Sequence, residues 1–372
     1  MAKHARSERI QNEAATNNEQ PLPKKSHRVL KIVLLSLAVV LLAAGAYGLH
    51  LYTQAKSALD KTYSSVDKAA EAKTAKVVAA TEPFSVLLLG TDTGDEGRTE
   101  VNGNSDTIIV ATVNPKKKQT TLVSIPRDTM AEIIGTSSFD FEKINAANNI
   151  GGAKMALNSV SKLLNVPLTN YVSINMGGLK KIVEAVGGVE VDVPFSFSSN
   201  GSTFTKGKMK LDGKQALDYA RMRYEDPQGD YGRQKRQRQI ITAILKSAAS
   251  TGTLANFTKL MDAISDNLTT NFTTDQMITI FKNYRSSATN VTSDHLQGIS
   301  AYAGDAAVQV PTTAELQRVS DIIRTELELE KETISNSTTK ENEYNKQQNG
   351  FIFDNPTEVQ DYYVYPLQST TN

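Results

Sequence analysis

Two apolar runs constrain this fold more than any other feature of the chain: Phe84-Ser-Val-Leu-Leu-Leu-Gly90 and Ser105-Asp-Thr-Ile-Ile-Val-Ala-Thr-Val113. Both read as strands. In the second, apolar residues occupy both alternating sets of positions, so the sheet needs cover on both faces. Thr120-Thr-Leu-Val-Ser-Ile125 is a third strand. The turn-like Asn114-Pro-Lys-Lys-Lys-Gln119 predicts that it pairs with the second as an antiparallel hairpin. Further strands are expected at Tyr171–Ile174, Val189–Val193 and Arg221–Arg223. Between and after them, helical patterns fall at Gly152–Leu164, Leu179–Val186, Gln215–Ala220 and about Tyr231–Ser250, then near 254–266, 273–285 and 312–331. Asp230 is placed to cap the helix that begins at about Tyr231. Helices interleaved with strands predict an α/β fold, a three-layer α/β/α sandwich with a mixed central sheet.

The ends of the chain are different in kind. Ile32–Leu49 is an apolar run long enough to cross a bilayer. It follows Lys3, Arg6, Arg9, Lys24, Lys25, Arg28 and Lys31, so the positive-inside rule keeps the N-terminus cytoplasmic and exports the rest. A cleaved signal peptide is the competing reading, because Ala44-Gly-Ala46 fits a cleavage site. The expected order is a basic cytoplasmic tail (1–28), a transmembrane signal anchor (29–51), a stalk helix (52–82), an extracellular α/β domain (83–332) and a polar flexible tail (333–372). Tyr362-Tyr-Val-Tyr365 within that tail has no assignment.

The chain has no cysteine, which excludes disulfides and thiolate sites, and only four histidines, three of them before the globular part. A metal would therefore be held by carboxylates, which suits a hard cation such as Mg²⁺. With 41 Lys+Arg against 40 Asp+Glu the chain is nearly neutral, so a basic cluster in it is local. Arg221, Arg223, Arg233, Arg236 and Arg238 form such a cluster around the turn Gly229-Asp-Tyr-Gly232. Arg221 and Arg223 would share a strand face, and Arg233, Arg236 and Gln237 a helix face. Such a run can be a solvated surface or a nucleic-acid patch. Export removes chromosomal DNA from its reach. Lys235 and Arg238 are assigned to solvent.

Three other polar segments sit at strand ends, where α/β folds place ligands: Gly90-Thr-Asp92-Thr-Gly94, Gly103-Asn-Ser-Asp106-Thr107 and Ser124-Ile-Pro-Arg127-Asp128. Two carboxylates suit a divalent cation and the arginines suit phosphate oxygens. Together they fit a diphosphate–Mg²⁺ complex.

These segments, with Lys143-Ile-Asn145-Ala, Val186-Gly-Gly-Val-Glu-Val-Asp-Val-Pro194, Leu211–Arg223, Gly229–Arg233 and Arg236-Gln237, resemble the LytR-CpsA-Psr family from about Phe84 to Ser250. Proteins of that family are membrane-anchored enzymes that attach anionic glycopolymers to peptidoglycan. The resemblance implies Mg²⁺ (or Mn²⁺) held by Asp92 and Asp106, and a polyprenyl diphosphate bound by Arg127, Arg221, Arg223, Arg233 and Gln237. It also implies an apolar tunnel for the polyprenyl tail. Many members carry Arg two residues before the second Asp, where this chain has Asn104; Arg98 would replace that donor. Asp128, Lys143, Asn145 and Arg236 are assigned supporting roles.

The implied reaction is attack by a hydroxyl, the C6 hydroxyl of N-acetylmuramic acid, on the sugar-proximal phosphorus, with polyprenyl phosphate leaving. Asp92, Asp106 and Arg127 are the candidate catalytic residues, and an aspartate is the default base, Asp92 ahead of Asp106. Partners would be the lipid-linked polymer (teichoic acid or capsule, among others), peptidoglycan and the membrane, not nucleic acid. Two rivals use the same features: a membrane-anchored transcription attenuator, and a polyprenyl-diphosphate hydrolase with water as acceptor.

Overall fold

The computed structural model describes residues 53, 56–57, 60–91, 93, 103–250, 260–354 and 356–366. The basic tail, the apolar run assigned as an anchor, Asp92, Arg98 and part of the helix expected near 254–266 lie outside the described residues. Among the described residues no helix is long and apolar enough to cross a membrane.

In chain order the first elements are α1 (Lys68–Ala79), β1 (Phe84–Thr91), β2 (Ser105–Asn114), β3 (Gln119–Ser124), β4 (Met130–Glu132), β5 (Phe141–Lys143) and α2 (Ala146–Leu164). Then come β6 (Asn170–Asn175), α3 (Met176–Ala185), β7 (Val189–Val193), β8 (Phe197–Ser199), β9 (Ser202–Phe204), β10 (Gly207–Leu211), α4 (Gly213–Arg221) and α5 (Gly229–Ser250). The last are β11 (Leu268–Thr270), α6 (Thr274–Asn283), β12 (Val291–His295), β13 (Gly298–Ala303), β14 (Ala306–Pro311), α7 (Thr313–Glu326), α8 (Ser337–Gln348) and β15 (Gln360–Asp361).

The central sheet runs β11-β6-β1-β2-β3-β12. β1 pairs parallel with β6, and β3 with β12, while the β1–β2, β2–β3 and β6–β11 pairs are antiparallel. The sheet is mixed and covered twice, as both-parity burial in β2 requires. Leu87, Leu89, Ile108, Val110 and Val123 face Leu157, Val160 and Leu164 of α2 and Leu316, Val319 and Ile323 of α7. The alternate residues Val86, Ile109, Ala111 and Leu122 face Val78 of α1, Ile241 of α5 and Ile280 of α6. Each such aliphatic side chain stabilises the fold by about 1.5–3 kcal/mol on full burial. A separate apolar cluster joins Val189 and Val191 of β7, Phe197, Phe204, Tyr219 and Met222 to Ile240 of α5.

Three expectations about the elements are corrected. The 52–82 segment is not a free-standing stalk: α1 starts at the Asp67 cap, Val78 is in the core, and Thr74 Oγ1 donates to Asn170 Oδ1 at 2.7 Å. Arg221–Arg223 is not a strand. A capping box between Asp212 and Gln215 starts α4, and helical bonding continues until Met222, whose N–H still donates to Asp218 O. Arg221 is thus in the last turn and Arg223 in the loop beyond. The described residues of the 333–372 segment are not a loose tail. It carries α8 and β15, and Tyr362 is buried against Phe141 and Phe351.

Candidate functional site

The edge of the sheet that carries the site follows from strand direction. β1 pairs antiparallel with β2, and β2 with β3, so the end of β1, the start of β2 and the end of β3 lie together; Thr91 is opposite Ser105, and Ile109 opposite Ser124. Asp106 therefore sits near Arg127, three residues past β3. Arg127 Nη1 donates to Asp106 Oδ1 at 2.5 Å. The backbone fixes this pair from both sides: Asn145 N–H donates to Arg127 O at 3.2 Å, and Ser105 N–H donates to Asn145 O at 3.3 Å. Asp128 lies 3.6 Å from Arg127 Nε and 3.1 Å from Lys143 Nζ. Asp128, Lys143 and Asn145 thus frame Arg127.

The first turns of α5 bring the second group. Arg233 Nη2 lies 2.6 Å from Asp230 Oδ1, and Gln234 Nε2 donates to Asp230 Oδ2 at 2.8 Å. The Arg233–Asp230 contact is an ion pair without hydrogen-bond alignment, since Arg233 Nε and Nη2 are buried with no hydrogen-bond acceptor among the described residues. The Arg233 side chain is only 8% exposed. Burial lowers its affinity for its proton, Asp230 opposes this, and the nearby Arg127 and Arg223 charges lower it further. For Arg127 burial also acts downward, but Asp106, then Asp128 and Asp230, outweigh it and hold its charge more firmly than usual. Arg127 and Arg223 thus both act on Arg233, and Arg127 Nε likewise makes no hydrogen bond among the described residues, with the Asp128 carboxylate 3.6 Å away. A buried guanidinium short of acceptors is a preformed seat for an anion with several oxygens.

Three residues on, Arg236 has the opposite environment. Its side chain is 1% exposed, its Nε donates to Tyr219 O at 3.0 Å, and its other nitrogens bond Met222 O and the Asp226 carboxylate. Gly232 makes room for Asp226, since a Cβ there would stand 2.0 Å from Asp226 Oδ2. Arg236 therefore ties α5 to the end of α4. Arg238 is not at the solvent, as its place in the sequence suggests. It is 6% exposed, donates to Ser124 Oγ at 2.6 Å, and burial pushes its guanidinium down to about 10, with Asp294 opposing. Lys235 is exposed and Gln237 half-buried. Arg221 is half-buried at the end of α4. Asp230 does not cap α5, which already begins at Gly229; it lies in the first turn, and its i,i+3 and i,i+4 spacing to Arg233 and Gln234 is the sequence signal of its pairing role.

A cavity of about 170 Å³ adjoins the site, with Asp128, Arg223, Asp230 and Tyr231 on one wall and Ser300, Tyr302 and Gln309 on the other. Among the described residues no three His, Cys, Asp or Glu side chains cluster as a metal cage. Mg²⁺ usually uses one or two carboxylates plus substrate phosphates. The partly exposed Asp106, beside cations that suit phosphate, fits that mode.

Fold and site define an α/β domain with buried arginines, short of acceptors among the described residues, at its sheet edge. The LytR_cpsA_psr family model matches residues 49–325, and the chain belongs to that family. It is 45% identical over 303 residues to the polyisoprenyl-teichoic acid–peptidoglycan teichoic acid transferase TagU of Enterococcus faecalis, covering 82% of this chain and 98% of that protein. Among solved structures, protein gbs0355 of Streptococcus agalactiae matches with a TM-score of 0.67 at 35% identity, over 73% of this chain and 97% of that one. TagT bound to LI-WTA matches with a TM-score of 0.56 at 27% identity, over 67% and 92%.

Proposed function

We propose that this protein moves a teichoic-acid-type glycopolymer from a polyprenyl-diphosphate carrier onto peptidoglycan, with its catalytic domain on the outer face of the membrane and Ile32–Leu49 as the anchor. The observation that carries the reading is Arg233, buried beside Arg127 with donors that find no hydrogen-bond acceptor among the described residues. Such a site favours a dense anion, and a diphosphate supplies one. The family, and the activity for which its members are named, supply the reaction class.

In this reading Arg127, Arg223 and Arg233, with Arg221 and Gln237, bind the diphosphate oxygens and stabilise the charge that grows on them, which commonly contributes most to the rate of such transfers. Asp106 and Asp92 would hold Mg²⁺, which when bound neutralises diphosphate charge. The C6 hydroxyl of N-acetylmuramic acid forms the new bond to the sugar-proximal phosphorus, the bridging P–O bond breaks, and polyprenyl phosphate leaves. Asp106 is already engaged by Arg127, so the hydroxyl proton is assigned to Asp92. Transfer from a defined lipid-linked donor to peptidoglycan tests this: Arg223→Ala is expected to abolish product while the fold, read by thermal melting, stays intact. Unchanged transfer would remove the diphosphate site, and release of free polymer alone would make the protein a hydrolase.

A further inference from the structure

The cavity shares Arg223 with the anion site, but the rest of its lining differs in chemistry. Its wall from β13 and β14 offers Ser300 and Gln309, and Gln309 is locked in place: its Oε1 accepts from Tyr231 at 3.0 Å, and its Nε2 donates to Ser300 Oγ at 3.0 Å. Its backbone N–H donates to Asp128 O at 2.8 Å, which ties the hairpin to the residue beside Arg127. Asp128 and Asp230 face the same space, so a further phosphate would meet carboxylates there. Beside Arg223, the carboxylate, amide, phenol and hydroxyl groups together suit a ligand rich in hydroxyls. Tyr302, 45% exposed, supplies an aromatic face for a sugar ring. At about 170 Å³ the space is below the ~300–1,000 Å³ of sites that enclose a whole small ligand, which suits one ring of a longer chain.

The wall is supported by residues past the family match. β15 pairs parallel with β13 at Ala301 and Tyr302, Tyr362 N–H donates to Tyr302 O at 2.7 Å, and Val359 reaches the cavity. The family match ends at 325. α8 holds the segment: Asn345 bonds the backbone of Tyr363 through both side-chain atoms, and Asn342 Oδ1 accepts from Tyr362 OH at 3.0 Å.

We propose that this cavity is a saccharide subsite for a single sugar ring next to the diphosphate, with its Tyr302 wall set by the segment from Ile334 to Tyr365. The proposal rests on the transferase reading, because the ring would belong either to the acceptor glycan or to the donor polymer. The full-length protein in detergent is titrated with a soluble N-acetylglucosamine–N-acetylmuramic acid tetrasaccharide and, separately, with inorganic pyrophosphate. Transfer is then followed with donor and acceptor varied in turn. Tyr302→Ala removes the aromatic face and Ala307→Tyr, at an exposed position opposite it, fills the space.

Both variants are expected to keep pyrophosphate affinity within twofold. Both should raise the KM of one sugar-bearing substrate at least tenfold. A rise for the acceptor, with weaker tetrasaccharide binding, assigns the subsite to peptidoglycan; a rise for the donor assigns it to the polymer. Unchanged tetrasaccharide binding with unchanged KM for both substrates overturns the proposal. Wild-type protein that fails to bind pyrophosphate would instead sink the diphosphate reading, so the two failures are separable.

Discussion

Arg233 and Arg236 stand one helical turn apart on α5, both nearly inaccessible, yet the regions around them serve opposite ends. Around Arg236 the chain supplies every partner: a carboxylate with 5% exposure and two backbone carbonyls left over where α4 stops. Around Arg233 it supplies one misaligned carboxylate and other cations. Burial alone says nothing about purpose. What separates a structural cation from one kept for a ligand is whether the protein's own acceptors are used up.

The same substitution at both positions gives the sharpest way to break this comparison. Arg236→Met leaves Asp226 buried without its counter-charge and is expected to cost about 3–5 kcal/mol in urea unfolding. Arg233→Met removes a charge the fold does not satisfy, so unfolding should shift by under about 1 kcal/mol while transfer falls roughly 10²–10³-fold, as for loss of an oxyanion donor. If both variants unfold equally easily, the distinction fails.

A smaller effect comes from a third buried charge. Glu341 is fully buried in α8, its Oε1 lacks a hydrogen-bond partner among the described residues, and burial raises its carboxyl to about 7, opposed by the hydrogen bond from Tyr365 N–H. The folded state therefore holds a proton that the unfolded chain releases near its ordinary value. Its contribution is full at about pH 4 and is lost as pH rises through about 7. Glu341→Gln should flatten that slope and raise stability at about pH 8 by about 1–3 kcal/mol, read by melting at both pH values. An unchanged slope would mean that Glu341 is solvated.

How much of this is legible in the sequence follows from what each region is made of. The central hairpin and its double cover can be read from Ile108 to Val113 because apolar burial writes itself in residue type. The meeting of Asp106 with Arg127 follows from strand ends. The C-terminal segment cannot be read, because Glu341, Asn342 and Asn345 hold it through polar bonds that look like solvent composition. Arg221 and Arg223 look like a strand by spacing alone, but the cap at Asp212 decides for a helix. Arg238 looks like the outer face of α5, yet that helix meets β3 through Ser124 on that side.

β15 is only Gln360–Asp361, yet it lies along the outer side of β13. Without it, the backbone N–H and C=O groups at Ala301 and Tyr302 would face water as a vacant pairing edge, the kind that recruits a second chain. A fragment trimmed to the family limit at 325 would therefore tend to self-associate through β13. Gln360 and Asp361 are what keep that edge closed.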